Sequence, residues 1–508
     1  MAFDLDIRVL VVGAGIMGAG IAQVAAQAGH RVALFDLREG AAAEARDKLG
    51  KTLDGLAAKG KLKPEAVQAS MARIEVVTTL DAARDAGLVV EAIVERLDAK
   101  RSLFQQLEGL LGADAILATN TSSISVTAIA NGLQRPERLV GMHFFNPVPL
   151  MKLVEVVSGL RTDCGVAAAV FELARSWGKV PVHARSTPGF IVNRIARPYY
   201  AETLALLQEQ AAPPEVLDAC HRAAGFRMGP CELIDLIGHD TNFAVTNSVY
   251  AANFFDKRYT PSGVQQEMVD GGLFGRKSGR GFYTYPAGAP ALPPLAAVAL
   301  PASSPVVVHG RGPVADALAA RLSLPTTRDT GSGWTGLAVG EAQLRLTDGR
   351  SAGEVAQALG RGDVAVFDRL PGMSTAADDG WRGALAMAFA DTASERWRAE
   401  APTWLATLGV EPQIVADTPG LVVARTLAML INEAADAVNQ GVCSTDGADA
   451  AMKLGLNYPA GPFEWLAGWR ADGVLAVLAA LDTLYRGERY RASPWLVRRA
   501  RAAATTGD

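Results

Sequence analysis

Residues 7–36 read IRVLVVGAGIMGAGIAQVAAQAGHRVALFD, and this stretch decides the fold. Ile7 to Val12 is a compact apolar run that reads as a strand. Gly13-Ala14-Gly15-Ile16-Met17-Gly18 follows, and then an alanine-rich helix to about Ala28, closed by Gly29-His30. Arg31 to Phe35 is a second strand, with Asp36 at its C-terminal end. A glycine pattern alone is weak. Strand before, helix after and acid at the end of the next strand are the context in which it cradles a pyrophosphate. Gly13 permits the turn, Gly15 lets the backbone approach a phosphate and Gly18 lets the helix pack on the sheet. The free N–H groups and positive dipole of the helix favour the anion. Ile16 and Met17 complete the loop. Asp36 suits ribose hydroxyls and repels a 2′-phosphate, so NAD is expected rather than NADP. The bland alternative is a merely structural strand–helix–strand turn.

Outward from this unit, helices are expected over about 38–59 and 64–72. Between them Lys59-Gly60-Lys61-Leu62-Lys63 is either a solvated turn or a cationic loop for a phosphate-rich ligand. Strands are expected at 74–77, 88–93 and 115–119. Glu95 and Lys100 follow the second of these, and Asn120-Thr121-Ser122-Ser123 follows the third. Polar residues there face the ligand end of a parallel sheet, although Ser122 is equally a helix N-cap. Residues 138–155, RLVGMHFFNPVPLMKLVE, read as two strands with a reversal at Asn146-Pro147. Adjacent strands bring His143 and Glu155 within reach of each other. A carboxylate on one imidazole nitrogen leaves the other free as a base. A satisfied core histidine is the competing reading. After Thr187-Pro188-Gly189-Phe190 the pattern turns helical. A helix is expected over 191–208 with Asn193 near its start, as a cap or a functional group, and shorter helices to 271. The loop at 275–283 reads as structural.

A chain of 508 residues, 49% hydrophobic and 20% charged, makes several ordinary globular domains. Its net charge of −4 argues against nucleic acid or a membrane surface as a general partner. Cys164, Cys220, Cys231 and Cys443 have no metal-ligand spacing and read as reduced thiols, so no metal is expected. No apolar run reaches about 18 residues, and the N-terminus enters a strand without a cationic leader. A cytoplasmic protein is expected.

Residues 286–305 are rich in proline and alanine and read as a linker. Beyond them the chain repeats itself weakly. VVVHGRGPVADALAARL (306–322) echoes VLVVGAGIMGAGIAQVA (9–25), with Ala315 for the third glycine. Arg369 to Ser374 echoes Arg138 to His143, Thr418 to Arg425 echoes Thr187 to Arg194, and Gly461 to Glu464 echoes Gly229 to Glu232. In this register Ser374, Ala386 and Ala424 stand where His143, Glu155 and Asn193 stand, so the second copy has lost the chemistry.

The stretches Gly13 to Gly18, Glu91-Ala92-Ile93-Val94-Glu95, Asn120 to Ser123, His143-Phe144-Phe145-Asn146-Pro147 and Thr187 to Arg194 resemble the L-3-hydroxyacyl-CoA dehydrogenases. The resemblance runs from about residue 6 to 285. It implies an α/β chain: a Rossmann-like NAD-binding domain (1–185), an all-α substrate or dimerisation domain (186–285), the linker, a shortened degenerate Rossmann-like domain (306–410) and a second helical domain (411–508). It implies NAD-dependent oxidation of an (S)-3-hydroxyacyl-CoA, with His143 as base, Glu155 as its partner, and Ser122 and Asn193 on the substrate. Gly13, Gly15, Ile16, Met17, Gly18, Asp36, Glu95, Lys100, Ser122 and Asn146 would line the NAD site, and Lys59 would lie toward coenzyme A. The chain as read starts on its first strand, so a fused hydratase is not expected. The tandem layout resembles the 3-hydroxyadipyl-CoA dehydrogenases of phenylacetate catabolism. 3-Hydroxybutyryl-CoA is the rival substrate, and an NAD-binding structural protein like certain lens crystallins is the non-enzymatic rival. Assembly is open between a homo-oligomer and an intrachain pseudo-dimer made by the second helical domain.

Overall fold

The computed structural model describes residues 7–292, 305–322, 326–374 and 382–506. Most of the linker expected at 286–305 lies outside them. The chain forms two compact units, one of residues 1–194 with 440–456, the other of residues 195–439 with 457–508. None of the described helices is long and apolar enough to cross a membrane.

The first unit holds an eight-stranded sheet. Its strands are β1 (Arg8–Val12), β2 (Arg31–Phe35), β3 (Ile74–Val76), β4 (Leu88–Glu91), β5 (Ile116–Thr119), β6 (Leu139–Phe144), β7 (Leu153–Ser158) and β8 (Val180–Arg185). Their order is β3-β2-β1-β4-β5-β6-β7-β8, parallel throughout except where β6 meets β7. Chain direction reverses there because Asn146-Pro147 turns the chain back without a helical crossover. Val9, Leu10, Val11, Val89, Val90 and Leu117 are completely buried, as strands covered on both faces require. The helix from Thr445 to Leu456, from the second copy, packs on β7 and β8 in this unit.

The helix expected over 191–208 is two pieces, Val192–Ile195 and Arg197–Gln208. Pro198 has no N–H for the carbonyl four residues earlier, so the ladder breaks just before it.

The second unit contains the repeat. Its sheet comprises β9 (Val306–His309), β10 (Thr326–Asp329), β11 (Gly336–Val339), β12 (Ala342–Leu346), β13 (Val364–Phe367), β14 (Ala384–Phe389) and β15 (Glu411–Ile414), ordered β10-β9-β11-β12-β13-β14-β15. Its strand order is that of the first sheet without the counterpart of β3, but β11 runs antiparallel to both β9 and β12, where β4 is parallel to both of its neighbours. A tight antiparallel turn joins β11 to β12 where a helix, Leu97–Leu110, separates β4 from β5. Those lost crossovers account for the shortening.

The ladder corrects one sequence equivalence. In the first sheet His143 faces Glu155. In the second, Phe367 faces Met387 and the next N–H, that of Asp368, donates to the Ala386 carbonyl. Asp368, not Ser374, therefore holds the place of His143. Ser374 lies beyond the strand on the 3₁₀ turn Pro371–Ser374, and the RLPGMS match is a coincidence of composition. The carboxylate of Asp368 accepts the N–H groups of Val422, Val423 and Ala424 at 2.9, 2.6 and 2.9 Å. It clamps the following helix, and burial pushes its pKa up to about 6 despite those donors.

Within this unit helix Arg197–Gln208 packs against Val423–Asn439, and helix Pro214–Ala223 packs on β14. At their interface Arg425 is fully buried and bonds Glu202 at 2.7 Å, Glu209 at 3.2 Å and the Tyr490 hydroxyl at 2.7 Å. Arg489 bonds the other oxygen of Glu202 at 2.8 Å. Burial opposes ionisation of Glu202, but Arg489 and Arg425 outweigh it and hold the carboxyl below its usual range. Removing one member strands buried opposite charge. Arg425→Met is expected to cost about 3–5 kcal/mol, measured as a lower urea midpoint with an unchanged slope.

Candidate active site

The glycine loop between β1 and the helix Ile16–Gln27 is anchored from β2: the Gly13 N–H bonds the Phe35 carbonyl at 2.8 Å and the Ala14 N–H bonds Asp36 Oδ2 at 2.7 Å. A Cβ on Gly18 would stand 1.7 Å from the Gly13 carbonyl, so close helix–strand packing forbids any side chain there. A Cβ on Gly15 would meet nothing within 4 Å. The chain itself does not require glycine at 15; a phosphate approaching the backbone would. Ile16 is exposed and Met17 half-buried at the start of the helix. Beside the loop lies a cleft of about 850 Å³ lined by Gly13, Gly15, Asp36, Leu37, Ala92 and Leu103. A largely apolar slot with a glycine loop and an acid side by side at its edge fits the adenosine half of a dinucleotide.

The ends of β4 and β5 are tied by carboxylates. Glu95 Oε1 accepts the Thr121 hydroxyl at 2.6 Å and the Ser122 and Ser123 N–H groups at 2.9 and 3.2 Å. Burial works against its charge, but Lys100 and these hydrogen bonds prevail and hold its pKa below the usual carboxylate value. Lys100 is buried, its Nζ 2.6 Å from Glu91 and 3.2 Å from Glu95. Glu91 stands in a quoted motif, but the sequence reading gives it no role. Fully buried, it also accepts the Thr119 hydroxyl and the Ile93 N–H. Its signal was an acid at the end of an otherwise apolar strand.

His143 and Glu155, paired across β6 and β7, are both buried, with Nδ1 2.6 Å from Oε2. The other carboxylate oxygen accepts the Ile191 and Val192 N–H groups, each at 3.0 Å. Glu155 therefore fixes the imidazole and the start of the helix that carries Asn193 in one stroke. Phe145 and Phe190 flank the imidazole at 4.5 and 5.9 Å between ring centres. Asn193 is half-buried, its Nδ2 3.4 Å from the Ser122 carbonyl. Asn120, also quoted without an individual role, accepts the Phe144 N–H at 2.8 Å and ties β5 to β6 beside the histidine. The structure thus brings His143, Glu155, Asn193, Ser122 and Glu95 into one connected cluster, with Asn146 exposed at the turn after β6. Lys59 is the exposed residue closing helix Ala41–Ala58, and its assignment rests on the family resemblance and its charge.

In the repeat, the Gly310 N–H bonds the Asp329 carbonyl as that of Gly13 bonds Phe35. Thr330 thus takes the position of Asp36, and Trp334 stacks on His309 at 4.2 Å. No acid stands where a ribose would need one.

Comparison with known proteins assigns most of the chain to one family. Residues 8–187 match the 3-hydroxyacyl-CoA dehydrogenase NAD binding domain, and residues 189–285 and 420–506 match the C-terminal domain of that family. Residues 344–419 match the 3-hydroxybutyryl-CoA dehydrogenase reduced Rossmann-fold domain. The chain is 44% identical over 495 residues to the 3-hydroxyadipyl-CoA dehydrogenase of Escherichia coli K12, covering 97% of each. It is 43% identical over 276 residues to a probable 3-hydroxybutyryl-CoA dehydrogenase of Deinococcus radiodurans, covering 54% of this chain and 99% of that one. The crystal structure of a 3-hydroxybutyryl-CoA dehydrogenase from Escherichia coli K12 superposes with a TM-score of 0.89 at 41% identity, over 99% of this chain and all of that one.

Proposed function

The chain belongs to the 3-hydroxyacyl-CoA dehydrogenase family, and from that premise we propose that it oxidises 3-hydroxyadipyl-CoA to the 3-oxoacyl-CoA, with His143 as the general base. The observation that carries the mechanism is the buried His143–Glu155 pair at 2.6 Å. An anionic Glu155 takes the Nδ1 proton in a hydrogen bond, so Nε2 keeps its lone pair for the 3-hydroxyl proton. Developing positive charge on the ring falls beside the carboxylate that stabilises it. Asn193 and Ser122 would hold the hydroxyl and thioester oxygens in line, a positioning effect. NAD, when bound, supplies the hydride acceptor. The six-carbon dicarboxylic acyl group is favoured by the full-length match to a protein of that name. A four-carbon substrate is the second reading, favoured by the description of the superposing structure. Following NADH at 340 nm with a panel of 3-hydroxyacyl-CoAs decides between them, and no NADH from any member would defeat the assignment.

Asp36 makes NAD the expected cofactor. Its Oδ1 accepts the Arg38 N–H at 2.9 Å, which holds the carboxylate at the ribose end of the cleft. Wild-type kcat/KM is expected to favour NAD over NADP by at least about 100-fold, with Asp36→Ala narrowing the gap. Equal use of both cofactors by the wild type would refute it.

We read the second helical domain as one half of an intrachain pseudo-dimer. Support comes from the reciprocal packing: a helix of the second copy lies on the first sheet, and a helix of the first copy lies on the second sheet. Lys59 stays assigned to the coenzyme A end of the substrate on the family resemblance and its charge.

A further inference from the structure

The copy that lost the chemistry contributes residues 440–456 to the first unit. The Arg194 guanidinium donates to Gln440 Oε1 at 2.8 Å, and the Arg185 N–H donates to the Val442 carbonyl at 2.9 Å. Helix Thr445–Leu456 then packs on β7 and β8. Burial pushes the Cys443 thiol up to about 12 and the charge of Glu155 adds to the effect, so this segment lies within electrostatic reach of the carboxylate that holds the base.

Gly455 sits in the last turn of the helix. Its backbone is not left-handed, so conformation does not call for glycine, and alanine would make a better helix. The reason for glycine is packing. A Cβ there would stand 2.8 Å from Leu153 Cδ2, 3.1 Å from Val192 Cγ2 and 3.7 Å from Phe145 Cε1. Leu153 and Val192 are buried and have no open space to move into. All three neighbours support the reacting groups. Leu153 comes two residues before Glu155 on β7 and faces the same side of the sheet. The Val192 N–H is one of the two that Glu155 holds, and Val192 precedes Asn193 in the chain. The Phe145 ring packs on the His143 imidazole.

The second unit makes the reciprocal contact with the sizes reversed. There helix Pro214–Ala223 lies on β14, and a Cβ on Gly383 would stand 3.1 Å from the Ala223 Cβ. Ala384 follows, in the place of Leu153, as Ala386 is in the place of Glu155. Small residues on the strand and a side chain on the helix close that interface. In the unit that carries the base, the strand side is large and the helix gives way. Glycine on the helix therefore goes with the copy that keeps His143, Glu155 and Asn193.

We propose that helix Thr445–Leu456 of the degenerate copy belongs to the catalytic apparatus of the first copy, with Gly455 as a positioning residue that lets Leu153, Val192 and Phe145 keep Glu155, Asn193 and His143 in place. This rests on the dehydrogenase reading above and adds what the second copy gives the reaction.

The experiment uses the full chain and a 3-hydroxyacyl-CoA that the wild type oxidises. It measures kcat per folded protein, KM, NAD affinity and the urea midpoint for the wild type, Gly455→Ala, Leu153→Val, the double variant and Gln440→Ala. Gly455→Ala should lower kcat by about 10–100-fold, the cost of misplacing a reacting group by about 1 Å. NAD affinity should stay unchanged, because the glycine loop follows β1, four strands from β7. Leu153→Val removes the atom that the new Cβ meets first, so the double variant should be at least about fivefold faster than Gly455→Ala, a non-additivity expected of residues in contact. A normal kcat in Gly455→Ala, with or without a lower urea midpoint, would overturn the proposal, and so would no recovery in the double variant. Gln440 is exposed, so Gln440→Ala tests the same support without touching the core. Its kcat/KM should fall about threefold, the scale of one lost hydrogen bond. A normal value there, with a Gly455→Ala chain that does not fold, would overturn the proposal as well. No turnover of any 3-hydroxyacyl-CoA by the wild type would instead sink the dehydrogenase reading.

Discussion

Replacing His143 with glutamine is expected to lower kcat by about 10²–10⁴-fold, the usual contribution of a positioned general base, while NAD affinity stays within a few-fold. The separation follows from where the residue sits. His143 is on β6, three strands from β1, and the glycine loop and Asp36 are held by their own hydrogen bonds to β1 and β2. Glutamine fills a similar volume and can still donate to Glu155, so the strand pair and the turn at 191–192 stay in place. What is lost is the nitrogen lone pair. Calorimetric titration with NAD and a steady-state assay on one preparation measure both quantities. A variant with near-normal kcat on a good 3-hydroxyacyl-CoA would show that the proton goes elsewhere.

The first sheet was legible in the sequence because each strand of its parallel half is an apolar run bounded by turn residues, and because a glycine loop between two strands has one common three-dimensional meaning. The pairing of His143 with Glu155 was legible as well, since Asn146-Pro147 leaves room only for a reversal. The counterpart of His143 in the second copy was not. Motif similarity put it at Ser374, whereas the ladder puts Asp368, six positions earlier, there, because register is decided by backbone pairing and a short match in composition such as Arg369 to Ser374 does not fix it. Glu91 and Asn120 were hidden for another reason. Their roles are hydrogen bonds to backbone and side chains of other strands, which no local spacing encodes.

Glu155 is expected to be as important as the histidine, for a reason that only its three hydrogen bonds reveal. As a carboxylate it accepts on both oxygens, from His143 Nδ1 on one and from the Ile191 and Val192 N–H groups on the other. Glutamine has one acceptor oxygen. The two backbone donors are fixed by the turn and claim it, so the amide nitrogen must face His143. Nδ1 is then forced to accept, the ring proton moves to Nε2, and the nitrogen that should take the substrate proton already holds one. Glu155→Gln should therefore lower kcat by about 10²–10⁴-fold with the fold intact. Glu155→Ala should in addition destabilise the protein by about 1–3 kcal/mol for each stranded backbone donor, seen as a lower urea midpoint. Because His143 and Glu155 act as one unit, His143→Gln combined with Glu155→Gln should be little slower than His143→Gln alone. Multiplicative losses in the double variant would mean that the two residues work separately, and a Glu155→Gln enzyme with full activity would remove the tautomer argument altogether.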